Sequence, residues 1–116
     1  MGLADSISNT MTEDVGRKLE NLIFLHLRRK YTEHYYFDDK GECDFVSMKR
    51  NAVAELVQVC YVLTPDNLKR EVNGLLQAMR FFNQRTATIV TFANTDFIEN
   101  DGFEIKVIPA YKYLLI

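Results

Sequence analysis

Val15, Leu19, Leu22, Ile23, His26 and Leu27 recur at helical spacing, and Phe24 and Leu25 widen the stripe. The pattern predicts a helix packed on a sheet over much of its surface. Thr10 and Glu13 fit a capping box, in which hydroxyl and carboxylate each satisfy an unpaired backbone N–H, so the helix is expected to start there and to end near Lys30 or Tyr31. "HYYFDD" then reads as an aromatic strand, "DKGE" as a turn, and "CDFVSMKR" as a second strand with alternating faces. "AVAELVQVCYVL" is the most apolar run, and its β-branched content predicts a central strand covered on both sides. It stops at "TPDN", where Thr64 suits a helix N-cap, Pro65 the first helical position and Asp66 the positive end of the helix dipole. Leu68, Val72, Leu75, Leu76 and Met79 follow on one face. "TATIVTFA" is another buried strand, reached through a helix and therefore expected to run parallel to its predecessor. "ENDG" reads as a turn, "FEIKVI" as a last strand, and Pro109 precedes a short terminal helix in "AYKYLLI". The expected order is αβββαββ(α), an α/β fold whose mixed sheet is flanked by helices.

A chain of 116 residues has the length of one domain. The opening "MGLADSISNT" is small, polar and aperiodic, so residues 1–10 read as a flexible linker or a cut end and 11–116 as the domain. The formal net charge is −2, whereas binding to duplex phosphates usually accompanies a basic surplus, so a nucleic-acid role requires a local basic patch. Cys43 and Cys60 lack CxxC spacing and are too few for a disulfide scaffold, which points to reduced thiols in a cytoplasmic protein. No apolar run approaches the roughly 18 residues of a membrane span, so no membrane partner is expected.

If "SMKRNAVA" bends at Asn51, pairing sets Met48 against Ala54, Val46 against Leu56 and Asp44 against Gln58, all on one face. Asp44, Gln58 and Cys60 then share one small surface. A carboxylate on one strand, with an acidic residue, any residue and a lysine on the next, is the arrangement of two-stranded nuclease sites. Oxygen ligands there hold Mg²⁺ or Mn²⁺, the cation polarises the phosphate and acidifies a bound water, and the lysine steadies transition-state charge. Here Gln58 offers a neutral carbonyl in the acidic position. Cys60 offers a thiol in the lysine position, largely uncharged at neutral pH and unable to act as a fixed cation.

"GRKLENLIFLHL" with "ECDFV", "ELVQVCY", "REVNGLLQAM" and "IPAYKYLL" resembles the C-terminal domain of unknown function attached to prokaryotic AAA-superfamily ATPases, which has a PD-(D/E)XK nuclease-like, restriction-endonuclease-like fold. The likeness runs from about Val15 to the end. It implies that Glu20 is the helix glutamate of the site, that Asp44 is the strand aspartate, that Gln58 stands at the acidic position, and that Cys60 occupies the lysine position. It also implies an ATPase module in the full-length protein. The site is expected to be degenerate, and the domain to serve as a binding module for DNA or a protein partner. The alternatives are a divalent-metal-dependent nuclease using Glu20, Asp44 and Gln58 with Mg²⁺ or Mn²⁺, and an architectural oligomerisation domain.

Plainer roles are open to each residue. Glu20 can be a surface carboxylate paired with Arg17. Asp44 can finish a turn by bonding the backbone. Gln58 in so apolar a strand needs partners if buried, since leaving it unsatisfied costs roughly 1–3 kcal/mol. Cys60 can be a small buried hydrophobe. His26 and His34 could join the cysteines at zinc only without any paired ligand spacing. Lys69, Arg70 and Glu71 read as a solvated helix face, unless Lys69 or Arg70 replaces the missing lysine. The aromatics of "YTEHYYF" read as core rather than as a stacking surface for bases.

Overall fold

The structure, a computed structural model, describes residues 3–38, 41 and 43–116, with side chains described from Asp14 onward apart from those at 39, 40 and 42. The elements are α1 (Leu3–Lys30), β1 (Glu33–Phe37), β2 (Cys43–Lys49), β3 (Ala52–Val59), α2 (Pro65–Phe81), β4 (Thr86–Thr91), β5 (Asp96–Asn100), β6 (Phe103–Pro109) and α3 (Ala110–Tyr113). They build an α/β fold around one six-stranded mixed sheet of order β1-β2-β3-β4-β6-β5. As expected, β1, β2 and β3 pair antiparallel, while β4 runs parallel to both β3 and β6.

Differences from the sequence pattern have local causes. α1 already runs through residues 3–10, assigned above to a linker, where no glycine or proline interrupts propagation from the following turns. The side chains of Thr10 and Glu13 lie outside the described residues, and the expected capping box with them. The segment "DFIEN" forms an edge strand, β5, which pairs antiparallel with β6 and makes the order αβββαβββα. All but Ile98 of its residues are exposed, so it lacks the apolar run that marks buried strands.

Both sheet faces are covered. On one, α2 places Val72, Leu75, Leu76 and Met79 against Val46, Leu56, Ile89, Ile105 and Val107. On the other, α1 places Leu19, Ile23 and Leu27 against Phe45, Val57, Val90 and Ile108, joined by Ala110 and Tyr113 of α3. Leu56 and Val57 are thus both buried on opposite faces of β3, the expected doubly covered centre. The apolar stripe of α1 is narrower than expected, because Leu22 and Leu25 are 50% and 43% exposed. Tyr35 and Tyr36 are likewise exposed, a correction to their reading as core: β1 is an edge strand and buries only Phe37 at its end.

The α2 start follows local chemistry. Thr64 Oγ1 accepts the Asn67 backbone N–H at 3.3 Å, and Asn67 Oδ1 accepts the Thr64 N–H at 2.8 Å, a capping box ahead of Pro65. At the far side of the sheet, Glu55 ties three elements together. It accepts the Tyr31 hydroxyl at 2.5 Å and the Tyr113 hydroxyl at 2.7 Å, with Lys30 Nζ at 3.5 Å.

Candidate functional site

The β2–β3 hairpin sets the geometry. Arg50 and Asn51, with φ of 54° and 65°, form its two-residue tip, and left-handed conformations at both match the twist of the flanking strands. Val46 faces Leu56 as expected, but Met48 faces Val53 rather than Ala54. A register shift between Ser47 and Met48 absorbs the extra residue near the tip and leaves the distal register intact.

The ladder between β2 and β3 ends at Phe45 and Val57, while β3 continues alongside β4, with Gln58 facing Ile89 and Val59 facing Val90. Side chains take over from the ladder there. The Asp44 backbone N–H donates to Gln58 Oε1 at 2.9 Å, and the Val59 N–H donates to Asp44 Oδ2 at 2.9 Å. Each residue therefore bonds the backbone of the other's strand. Gln58, only 4% exposed, turns its Nε2 to Glu71 Oε2 at 2.9 Å, which gives each end of its amide a partner and fixes its orientation. Glu71 Oε1 meets the exposed Arg70 guanidinium at 3.4 Å.

Cys60 lies just past the end of β3, a correction to the longer strand expected, and its half-buried side chain packs against the α2-side core. Its thiol donates to the Val62 carbonyl at 3.2 Å, while Asn67 Nδ2 lies 3.8 Å from the sulfur. Burial, with the negative charge of Glu71 second, pushes this thiol up to about 11, so it is protonated and neutral at physiological pH.

Glu20 stands elsewhere. It is exposed on α1 and lines, with Arg17, Asn21, Phe24 and Phe45, a groove of about 400 Å³ on the α1 side of the sheet, whereas Gln58 meets α2 on the opposite side. Arg17 lies 4.0 Å from Asp14. His34 is held by Ser47 and the Tyr31 carbonyl, and His26 stacks edge-on against Tyr113 at 5.3 Å with its Nε2 buried and, among the described residues, without a hydrogen-bond partner. Among the described residues, no three His, Cys, Asp or Glu side chains are gathered as a metal-binding set.

The side chain that sequence reasoning missed is Glu71. It was assigned to a solvated face, yet it is only 14% exposed and closes the polar chain through Gln58. The signal was present: Glu71 adjoins the buried Val72 and stands at i, i+4 and i+7 with the buried Leu75 and Ala78.

These oxygens do not fit Mg²⁺ or Mn²⁺. Hard cations seek several converging anionic oxygens, whereas here a neutral amide separates the two carboxylates and aims its only oxygen at a backbone N–H. The cluster can brace the two strands beyond their ladder and carry a line of polar contacts from β2 to the surface of α2.

No family model matches the chain, and no solved structure matches it. Uncharacterized protein MJ1544 of Methanocaldococcus jannaschii is 31% identical over 121 residues, covering 95% of this chain and 27% of that protein. The chain therefore spans about a quarter of the length of the relative it matches.

Proposed function

We propose that this chain is a restriction-endonuclease-like domain, extended by an edge strand, that has a degenerate active site and works as a non-hydrolytic binding module for an attached AAA-type ATPase. The observation that carries the reading is the use of Asp44, Gln58 and Glu71 as internal braces, with a neutral thiol where hydrolysis needs a cation. Arg70, which contacts the cluster, is directed at Glu71 and is 79% exposed, so it does not supply a desolvated charge to a phosphate held there. The placement of the domain within a larger protein draws support from the relative, in which the matching stretch is 27% of the chain.

The test is a supercoiled-plasmid assay with Mg²⁺ or Mn²⁺, using the wild type and Asp44→Ala. No metal-dependent nicking above background is expected from either protein. Nicking by the wild type that the substitution abolishes would overturn the reading in favour of a metal-dependent nuclease.

A further inference from the structure

Away from the Asp44 cluster, the connection from α2 to β4 reads "RFFNQR", residues 80–85, with a cation at each end and two aromatics between them. Topology carries this run to the end of the sheet opposite the site, because α2 starts where β3 ends and finishes where the parallel β4 begins. Arg80 and Arg85 both lie over the ring of Phe103, at the start of β6, with their guanidinium carbons 5.4 Å and 4.9 Å from its centroid. One ring thus holds two positive charges no more than about 10 Å apart. Among the described residues, neither arginine forms an ion pair. Glu104 follows Phe103 but lines a cavity with Lys106, Thr86 and Phe97 on the α1 side of the sheet, away from them.

The residue after Arg80, Phe81, turns toward β1, 64% exposed yet propped by Phe37 at 4.9 Å and Phe82 at 4.9 Å. The backbone beneath is pinned. The Phe82 and Gln84 N–H groups donate to the Ala78 and Met79 carbonyls, Asn83 takes the left-handed turn at φ 55°, and the Glu104 N–H donates to the Arg85 carbonyl at 2.8 Å. An exposed ring and two guanidiniums held in place lose little freedom on binding.

We propose that the C-terminal end of α2 binds single-stranded nucleic acid laid across it, with Phe81 on the β1 side as a platform for a base and Arg80 and Arg85 on the β6 side as contacts for neighbouring phosphates. A free strand offers both a phosphodiester anion and an unpaired base face, whereas a duplex hides the base faces and an acidic peptide lacks them. Two arginines make a local patch, compatible with a chain whose overall charge is −2. The inference takes up the binding role proposed above but not its site, so the two fail separately: metal-dependent cleavage bears on that reading alone, and oligonucleotide affinity on this one alone.

The experiment is fluorescence anisotropy of a labelled oligothymidylate over a series of salt concentrations. Binding tighter than to a duplex of equal length is expected. Each phosphate contact adds about 0.7 to the salt slope on single strands, so Arg80→Gln/Arg85→Gln should flatten it by about 1.4. Glutamine keeps much of the aliphatic stem over Phe103, and a control that removes equal charge elsewhere, Lys106→Gln/Lys112→Gln, should leave the slope unchanged. Phe81→Ala should weaken binding at least about fivefold with the slope preserved, and Phe81→Tyr should restore it. Wild-type affinity in the double arginine variant, duplex bound as tightly as single strand, or polyglutamate displacing the oligonucleotide as well as unlabelled strand does would each overturn the proposal.

Discussion

Replacing Gln58 by glutamate restores an acidic residue just beyond the end of the β2–β3 ladder and sets a charge against the brace. In the wild type the carboxamide accepts from the Asp44 N–H and donates to Glu71 Oε2, both at 2.9 Å. Glutamate keeps the first bond, now charge-assisted, but its second oxygen faces Glu71 with no proton between them. Two unit charges about 4 Å apart repel by about 4 kcal/mol at an effective dielectric of 20. Glu71 is only 14% exposed, so screening is weak, and the strengthened Asp44 bond offsets about 1 kcal/mol. The net loss at neutral pH is therefore about 2–3 kcal/mol. The carboxyl introduced at position 58 holds its proton to higher pH in the folded state than in the unfolded one. The native state then binds more protons between those two values, so the penalty is absent at acid pH and grows as pH rises. Gln58→Leu, which breaks the same bonds without adding charge, should lose about 1–3 kcal/mol with little of this slope. Urea unfolding of both variants at about pH 4 and about pH 8 separates the cases. With three carboxylates present, Mn²⁺ should also raise the stability of the glutamate variant while leaving the wild type unmoved. A glutamate variant within about 0.5 kcal/mol of wild type at about pH 8 would refute the brace.

Three further outcomes are expected. Burial and the Glu55 hydrogen bond push the Tyr31 hydroxyl up to about 12, above its unfolded value, so its stabilisation is complete below about pH 10 and lost through about pH 12; Tyr31→Phe should flatten that alkaline limb in denaturant titrations. A methyl at Gly41 would meet Gln77 Cβ and sit 2.5 Å from the Gly74 carbonyl oxygen, so Gly41→Ala should lower stability by about 1–3 kcal/mol, read as a reduced melting temperature. The Cys60 thiol should alkylate at about pH 8 roughly two orders of magnitude more slowly than an unperturbed cysteine, and acceleration to the free-thiol rate on unfolding in urea would be seen by mass spectrometry.

What could be read from the chain was set by local rules. Thr64, Pro65 and Asp66 announce the start of α2 because capping chemistry acts over a few residues. Val46 opposite Leu56 followed from strict alternation, and the same alternation placed Asp44 beside Gln58. The shift at Ser47 left no mark, since an extra residue in a strand changes neither composition nor length noticeably. β5 escaped because an exposed edge strand lacks apolar alternation, and the exposed Tyr35 and Tyr36 misled for the converse reason, aromatics on an edge looking like core. Glu71 was concealed by the charged neighbours Lys69 and Arg70, although its spacing from Leu75 and Ala78 pointed inward. The Glu55 network joins residues 24 and 58 positions apart, a separation beyond any windowed pattern.

That same carboxylate seats the last helix. A four-residue helix has no stability of its own, so the last turn of the chain needs an anchor, and its hydroxyl finds one on a strand 58 positions earlier. β6, which leads directly into this turn, is paired with β4 and β4 with β3, so the sheet itself carries the hydroxyl to its acceptor. The strength with which this turn stays seated therefore reports on how well α1 and β3, which meet at the same carboxylate, are held together.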